Sequence, residues 1–381
     1  MADTNTTALA GLVKTAYDRY VEFALRSQPL VRSVADKRPA QQAMPGSSVV
    51  FSLYNDLAAA TSALSEATDP DAVALSDVST TSVTLAEYGN ASLVTRKLQL
   101  FSLSDVDPAV ADIIAYNMAD SLDKIAMESL RQGTNVIYGG SVTSTATVSS
   151  ADTLTSAKIR RAVAKLRSNK AVPRQGSLYW CGIHPEVSHD LRAETGSVGW
   201  RDIHAQTDSA QGNLWAGTIG TYEGAFFVET PRMYQKAEGA NQSTFTTTTA
   251  ATGASGTTTI TVASTSGIDV GDGVAISATT GASTLVSAIN GAVLTLSVAT
   301  TAAVTSGATV TVTPKTNVYR TILCGKQALA EAVSQEPGVV IGPVTDKLMR
   351  FRPIGWYGVL GFARYRDDAL FRIETSSSIS D

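Results

Sequence analysis

The stretch "DVDPAVADIIAYNMADSLDKIAMESLRQG", Asp105 to Gly133, is the best helical pattern in the chain. Asp107 is placed to cap it, Pro108 takes the first helical position, and Gly133 closes the far end. Val110, Ile114, Met118, Leu122 and Ile125 form one stripe, with Ile113 and Leu130 at its margins. At 1.5 Å per residue, about 25 residues span roughly 37 Å, long for a helix of a globular domain.

The whole chain has 381 residues, enough for a large core and more than one structural unit. Hydrophobic residues make up 44% and charged residues 17%, with a formal net charge of −4. This is the balance of a soluble globular chain with a polar, uncharged portion, without the basic excess of a sequence-specific DNA binder. Two cysteines, Cys181 and Cys324, make neither a zinc cluster nor a disulfide framework, and read as small buried hydrophobes in a reducing compartment. The N-terminus lacks the pattern of a signal peptide, and no apolar run is long enough to span a membrane.

Upstream of the long helix, residues 9–24 carry apolar residues at helical spacing. Residues 28–47 hold three prolines and read as an extended arm. Strands are expected at 47–57 and 82–98, joined by a Ser/Ala/Asp-rich stretch too long for an ordinary loop. Residues 46–90 contain Asp56, Glu66, Asp69, Asp71, Asp77 and Glu87, and no Lys or Arg. A one-signed loop repels itself and is steadied by a basic surface, most plausibly on another molecule.

Downstream, residues 153–170 predict an amphipathic basic helix. Ile159, Val163 and Leu166 face inward, while Lys158, Arg160, Arg161, Lys165, Arg167 and Lys170 lie mostly elsewhere. The bland reading of these charges is a solvated face; the sharper one is a contact with nucleic acid or with the acidic loop. Residues 177–183, 224–230 and 318–324 read as buried strands, with helices at 185–195 and around 326–333, giving an α+β domain. The final 28 residues of the ordered pattern, up to Thr375, predict two or three strands. Residues 241–313 contain only two charged residues, Asp269 and Asp272. Their short alternating runs, with "INGAV" as a hairpin signal, predict a small barrel or sandwich inserted at an exposed loop.

All three histidines fall in "CGIHPEVSHDLRAETGSVGWRDIH", Cys181 to His204. His184 and His189 are five apart, so they do not share a helix face, and the i, i+4 pairing of a metalloprotease is absent. His184 reads as a cap before Pro185. No nucleophile elbow and no phosphate loop is present. The residues give no catalytic, metal or cofactor site.

The order of parts, with "LSEATDPDAVALSDVSTTSVTLAEYGNA", "CGIHPEVSHDL", "AGTIGTYEGAFFVETPRM", "YRTILCGKQALAEA" and "GPVTDKLMRFRPIGWYGVLGFARYRDDALFRI", resembles the major capsid proteins of tailed bacteriophages. That fold is shared with herpesvirus floor domains and encapsulin shells. The resemblance implies an N-terminal arm (1–45) and an extended β-hairpin loop lying over a neighbouring subunit (46–92). It implies a peripheral domain (93–150 and 346–381, spine helix 105–133) and an axial domain (151–240 and 314–345). Residues 241–313 would be an inserted all-β surface domain. It further implies hexamers and pentamers tiling an icosahedral shell around double-stranded DNA, with portal and scaffold or cement proteins as partners and no membrane. The chain would reside in the virion after assembly in the host cytoplasm. The contact candidates are Asp56, Glu66, Asp69, Asp71, Asp77 and Glu87 on the loop, facing Arg160, Arg161, Lys165 and Arg167, with Lys170 and Arg174 beside them. Some members of the family cross-link subunits through a loop lysine; this sequence has none between Lys37 and Lys97. A bacterial nanocompartment shell, with protein cargo in place of DNA, and a β-rich decoration or adhesion protein remain alternatives.

Overall fold

The computed structural model describes residues 27–39, 48–53, 79–101, 106–194, 218–276, 284–343 and 350–379, with isolated positions between 57 and 74 and at 348. The helix expected at 9–24 lies outside these residues. The chain divides into two compact units. The described parts of the first are Ala86–Ser121 and Ser334–Leu360; the second comprises Ser27–Leu85, Leu122–Val333 and Gly361–Asp381.

The second unit is organised by one strand, β16 (Lys315–Cys324), of which every residue after Lys315 is buried. It pairs antiparallel with β19 (Leu370–Thr375), β6 (Tyr179–Ile183) and β9 (Gln235–Asn241). The sheet continues through β8 (Ala225–Glu229) to β7 (Thr218–Tyr222) on one side and β5 (Val136–Tyr138) on the other. Apolar layers lie on both faces, so its strands read as unbroken hydrophobic runs. On one face α3 (Ser156–Ser168) and α4 (Pro185–Ala193) bring Ile159, Val163, Leu166, Val187 and Leu191 onto Tyr179, Cys181, Leu323 and Ile373. On the other, Ala126, Met127 and Leu130 of α2 (Val106–Leu130) pack with Trp180, Ile322, Cys324 and Leu370. The alternation along β6 and β16 is the pleat itself, which puts Cys181 and Cys324 in opposite layers.

Charge enters this core at β16. Arg320 donates from Nε to Glu374 Oε1 (3.0 Å) and from Nη2 to Glu238 Oε2 (2.8 Å). Glu374 is fully buried and also accepts from Thr145 Oγ1 at 2.6 Å and pairs with Arg372 at 2.7 Å. The ring of Tyr234 lies under two guanidiniums, Arg131 at 4.6 Å and Arg320 at 4.4 Å. A carboxylate so deep is tolerated because cations and a hydroxyl surround it.

Three elements depart from the sequence expectations. Residues 27–39 are not a free arm. Val31 and Val34, in a 3-10 turn (Val31–Val34), are buried in the core, and β1 (Asp36–Pro39) runs parallel to β17 (Leu329–Ile341). The turn is held by Asp123 Oδ1, which accepts the Arg32 N–H at 2.9 Å, and by the Arg32 guanidinium, which pairs with the fully buried Glu331 at 2.6 Å. Burial is the largest influence on the Asp123 carboxyl and raises it above its ordinary value; the Arg32 N–H and Arg232 pull the other way. The helix expected around 326–333 is instead the start of β17. "ALAEAV" has helix-forming residues, but Leu329–Val333 are all buried beside β1, and tertiary pairing overrides propensity. The closing strands do not all return to the peripheral part: β19 belongs to the central sheet through β16.

The loop hairpin consists of β2 (Ser48–Leu53) and β3 (Ser79–Thr84) in antiparallel register. Phe51 and Val83 anchor its base against Ala330, Ala332 and Tyr365, with the Phe51 and Tyr365 rings 5.5 Å apart.

Between β9 and β16, six strands form a small barrel: β10 (Phe245–Thr248), β11 (Thr259–Thr261), β12 (Gly273–Ile276), β13 (Val286–Asn290), β14 (Val293–Leu296) and β15 (Thr309–Thr313). Two three-stranded sheets, β10-β15-β12 and β11-β14-β13, are joined by single bridges at Thr249↔Val262 and Gly273↔Leu285, which close the ring. Ile260, Val274, Ile276, Leu294, Val310 and Val312 fill it. At the β13–β14 turn Gly291 supplies the positive φ (58°) of a two-residue hairpin. The module's two charged residues both work at its base. Asp272, buried, accepts from Asp269 N (2.8 Å) and Lys315 N (2.9 Å), and Asp269 accepts from Asn317 Nδ2 (3.0 Å). Gly271, with φ +113°, lies against β9 so closely that a Cβ would sit 2.5 Å from Ala237 O.

In the first unit, β4 (Ala86–Thr95) pairs antiparallel with β18 (Phe351–Arg364), which in turn neighbours β17. One sheet face meets α2: Trp356 Nε1 donates to Asn117 Oδ1 at 2.9 Å, and Asn90 Nδ2 donates to the same oxygen at 3.3 Å. The short α1 (Arg96–Phe101) follows β4.

Removing Glu374 leaves Arg372 without its buried carboxylate partner and Arg320 with Glu238 alone. Glu374→Ala is expected to cost about 3–5 kcal/mol, the usual loss when one partner of a buried pair is removed. Denaturant unfolding of the unassembled chain measures it; a change below 1 kcal/mol would contradict this account of the core.

Candidate assembly surfaces

The acidic loop candidates fall mostly where the structure is silent: Asp56, Glu66, Asp69, Asp71 and Asp77 lie outside the described residues. Glu87 is described. It is exposed on β4 opposite Val359, and the Tyr357 hydroxyl hydrogen-bonds to it. Desolvation, with the Glu87 charge added to it, raises the Tyr357 phenol above its ordinary value.

The basic candidates lie on α3. Its inner face is closed by Ile159, Ala162, Val163 and Leu166, which leaves Arg161, Lys165, Arg167 and Lys170 exposed on the outside. Arg160 sits 3.8 Å from Glu223, and the Arg167 guanidinium lies over Gly224. Arg174 is committed within the chain, donating to Ser33 O at 2.9 Å and lying 3.5 Å from Asp36. The structure therefore gathers Arg160, Arg161, Lys165 and Arg167 on one helix and removes Arg174 from the group.

The histidine-rich stretch contains a cap. His184 precedes α4 and its Nδ1 accepts the Glu186 N–H at 3.4 Å, while its ring lies tilted against that of Tyr319 with centres 5.0 Å apart. Burial lowers the His184 pKa, with Glu186 and Glu229 acting against it. His189 points outward beside Asp190, and His204 lies outside the described residues. Asp190 instead holds the chain's end, accepting from Ser378 N at 2.9 Å. Both thiols are fully buried; burial pushes Cys324 up to about 12 and Cys181 well above its ordinary value, so neither is a thiolate nucleophile at neutral pH. Among the described residues no group of three His, Cys, Asp or Glu side chains is placed to hold a metal. No described helix is long and apolar enough to cross a membrane.

Sequence reasoning passed over the outward side chains of the first unit. Leu98, Leu100 and Phe101 of α1 and Leu93, Val339, Val340 and Ile341 of the sheet are exposed. The signal was present in "RKLQLF", a basic pair followed by three large apolar residues in four positions.

The sequence model of the phage capsid protein family matches residues 128–379, about two thirds of the chain. A search among curated proteins finds no match. Solved structures do match over the full length. The capsid of Ralstonia phage GP4 aligns with TM-score 0.65 at 13% identity, covering 100% of both chains. The capsid asymmetric unit of cyanophage Pam1 gives 0.63 at 14%, again covering 100% of both. The acid-stable capsid of Helicobacter pylori bacteriophage KHP30 gives 0.61 at 14%, covering 99% of each. At these identities the structures establish the fold, and the family match carries the assignment. The chain belongs to the phage capsid protein family: it is a structural shell protein of the virion, with the fold of tailed-phage major capsid proteins.

Proposed function

We propose that the chain assembles as hexamers and pentamers into an icosahedral shell around double-stranded DNA, held together without covalent cross-links. The observation that carries this is the loop hairpin. Its base is packed into the core by Phe51 and Val83, yet residues 46–90 offer six carboxylates and no cation of their own. Such a segment is stabilised by another subunit's positive charge. The outer face of α3, with Arg160, Arg161, Lys165 and Arg167, is the proposed counter-surface. The packaged DNA would be contacted without sequence preference, and the portal and a separate scaffold or cement protein would complete the particle, assembled in the host cytoplasm. The barrel would decorate the outer surface.

Three outcomes follow from this reading. Purified particles boiled in denaturing detergent should run as a single monomer band, because the loop offers no lysine for a cross-link; a ladder of multimers would overturn the non-covalent shell. Charge reversal of Asp69 and Asp71 together should reduce particle yield or make it sharply salt-sensitive in electron microscopy counts; wild-type yield at all salt concentrations would exclude the loop as a charged contact. Residues Asn241 and Lys315 are paired at the foot of the barrel. Replacing 242–314 by a short turn should therefore still give shells, and failure of a folded deletion variant to assemble would make the barrel a structural part.

A further inference from the structure

Nine of the sixteen large hydrophobic side chains exposed among the described residues lie in the first unit, which holds fewer than a fifth of those residues. Five of them, Leu93 and Val340 of the sheet and Leu98, Leu100 and Phe101 of α1, belong to two complementary shapes. One is a shallow trough of about 380 Å³ on the β4–β18–β17 sheet, whose lining includes Gly89, Ala91, Val340, Gly355, Trp356 and Tyr357. Its floor is low because glycines occupy it. A Cβ on Gly89 would lie 2.7 Å from Trp356 O, and one on Gly355 2.7 Å from Asn90 O. Leu93, 62% exposed, stands at one end. Glu87, one row beyond Gly89 on the same face of β4, gives the other end a negative charge.

The second shape is a ridge. Leu98, Leu100 and Phe101 of α1 are 50%, 73% and 77% exposed, and Arg96 and Lys97 precede them. The Lys97 ammonium lies 5.9 Å from the Phe101 ring centre. The ridge thus carries apolar bulk and positive charge, where the trough has apolar space and negative charge. The three ridge side chains leave on the order of 400 Å² uncovered, about half of the roughly 800 Å² that one partner contributes to a standard interface.

We propose that the α1 ridge of one copy seats in the trough of a second copy, with Phe101 and Leu98 over Gly89, Ala91 and Gly355 and with Lys97 near Glu87. This rests on the shell reading and names one of its contacts. Because groove and ridge are different surfaces of one chain, the contact is head-to-tail. Such contacts close into rings when the rotation permits.

Ala91 and Phe101 are exposed, and the native thiols are buried, so engineered cysteines report the contact cleanly. Copies carrying Ala91→Cys are mixed with copies carrying Phe101→Cys, assembled and mildly oxidised. A disulfide-linked dimer at least tenfold above either variant alone, and above a Val298→Cys control paired with Phe101→Cys, is the expected result. Particles that form without that band overturn the contact, and would leave a different virion protein or another face of the chain over the trough. A second arm uses Phe101→Asp, expected to lower particle yield at least tenfold with an unchanged circular dichroism spectrum. Normal yield from the folded variant would also overturn the proposal, and if the variant fails to fold the cross-link decides. Wild-type chain that forms no particles would sink the shell reading instead, while the disulfide in smaller oligomers would still test the contact.

Discussion

The second unit depends on a single solution to an electrostatic problem, the burial of Glu374 beside Arg320. β16 is flanked by three antiparallel partners and covered on both faces, so a polar side chain on it has no route to water. Arg320 reaches two carboxylates on two different strands, β9 and β19, and so fixes both against β16 at once. A charged pair of this kind adds little net stability over a well-packed apolar one. Its effect is on register, since a slip of either strand would strand a charge in the core. The same logic recurs where Asp123 and Glu331 receive Arg32, and again where Asp272 receives the amides of Asp269 and Lys315.

How much of this could be read from the sequence depends on how local the cause was. The long helix, the buried strands, the cap at His184 and the β-rich character of 241–313 are written in spacing and turn residues, and those readings agree with the observed elements, except that the helix begins at Val106, ahead of the expected cap Asp107. Residues 329–333 misled because "ALAEAV" has the composition of a helix, and only its placement beside β1 makes it a strand. Residues 27–39 misled for the opposite reason. Their prolines suggest an arm, but Arg32 finds its carboxylates 91 and 299 positions away. The fate of β19 was equally hidden, because alternating apolar residues mark a strand without naming its partner.

The surfaces are less legible than the core. A charge pattern such as that of residues 46–90 shows that something opposite in sign is needed, and says nothing of where it lies. α3 meets the requirement in composition, yet Arg174 turned out to serve its own subunit. The apolar ridge of α1 was overlooked because six residues are too few for periodicity to separate an inward face from an outward one. The apolar groups are distributed unevenly: two layers are sealed around β16, while Leu98, Leu100 and Phe101 of α1 and Leu93 and Val340 of the β1-β17-β18-β4 sheet are exposed.

The closure of the inserted barrel has a consequence for crowding. Shell subunits are held a few nanometres apart, so any exposed segment meets its copies at very high effective concentration. A Thr- and Val-rich module with open strand edges would, under those conditions, template strand pairing from one copy to the next and weld neighbours into fibrous contacts. The bridges at Thr249↔Val262 and Gly273↔Leu285 occupy the edges that such pairing would use. The closed ring thus leaves few unpaired backbone groups on which a neighbouring copy of this nearly uncharged module could add a strand.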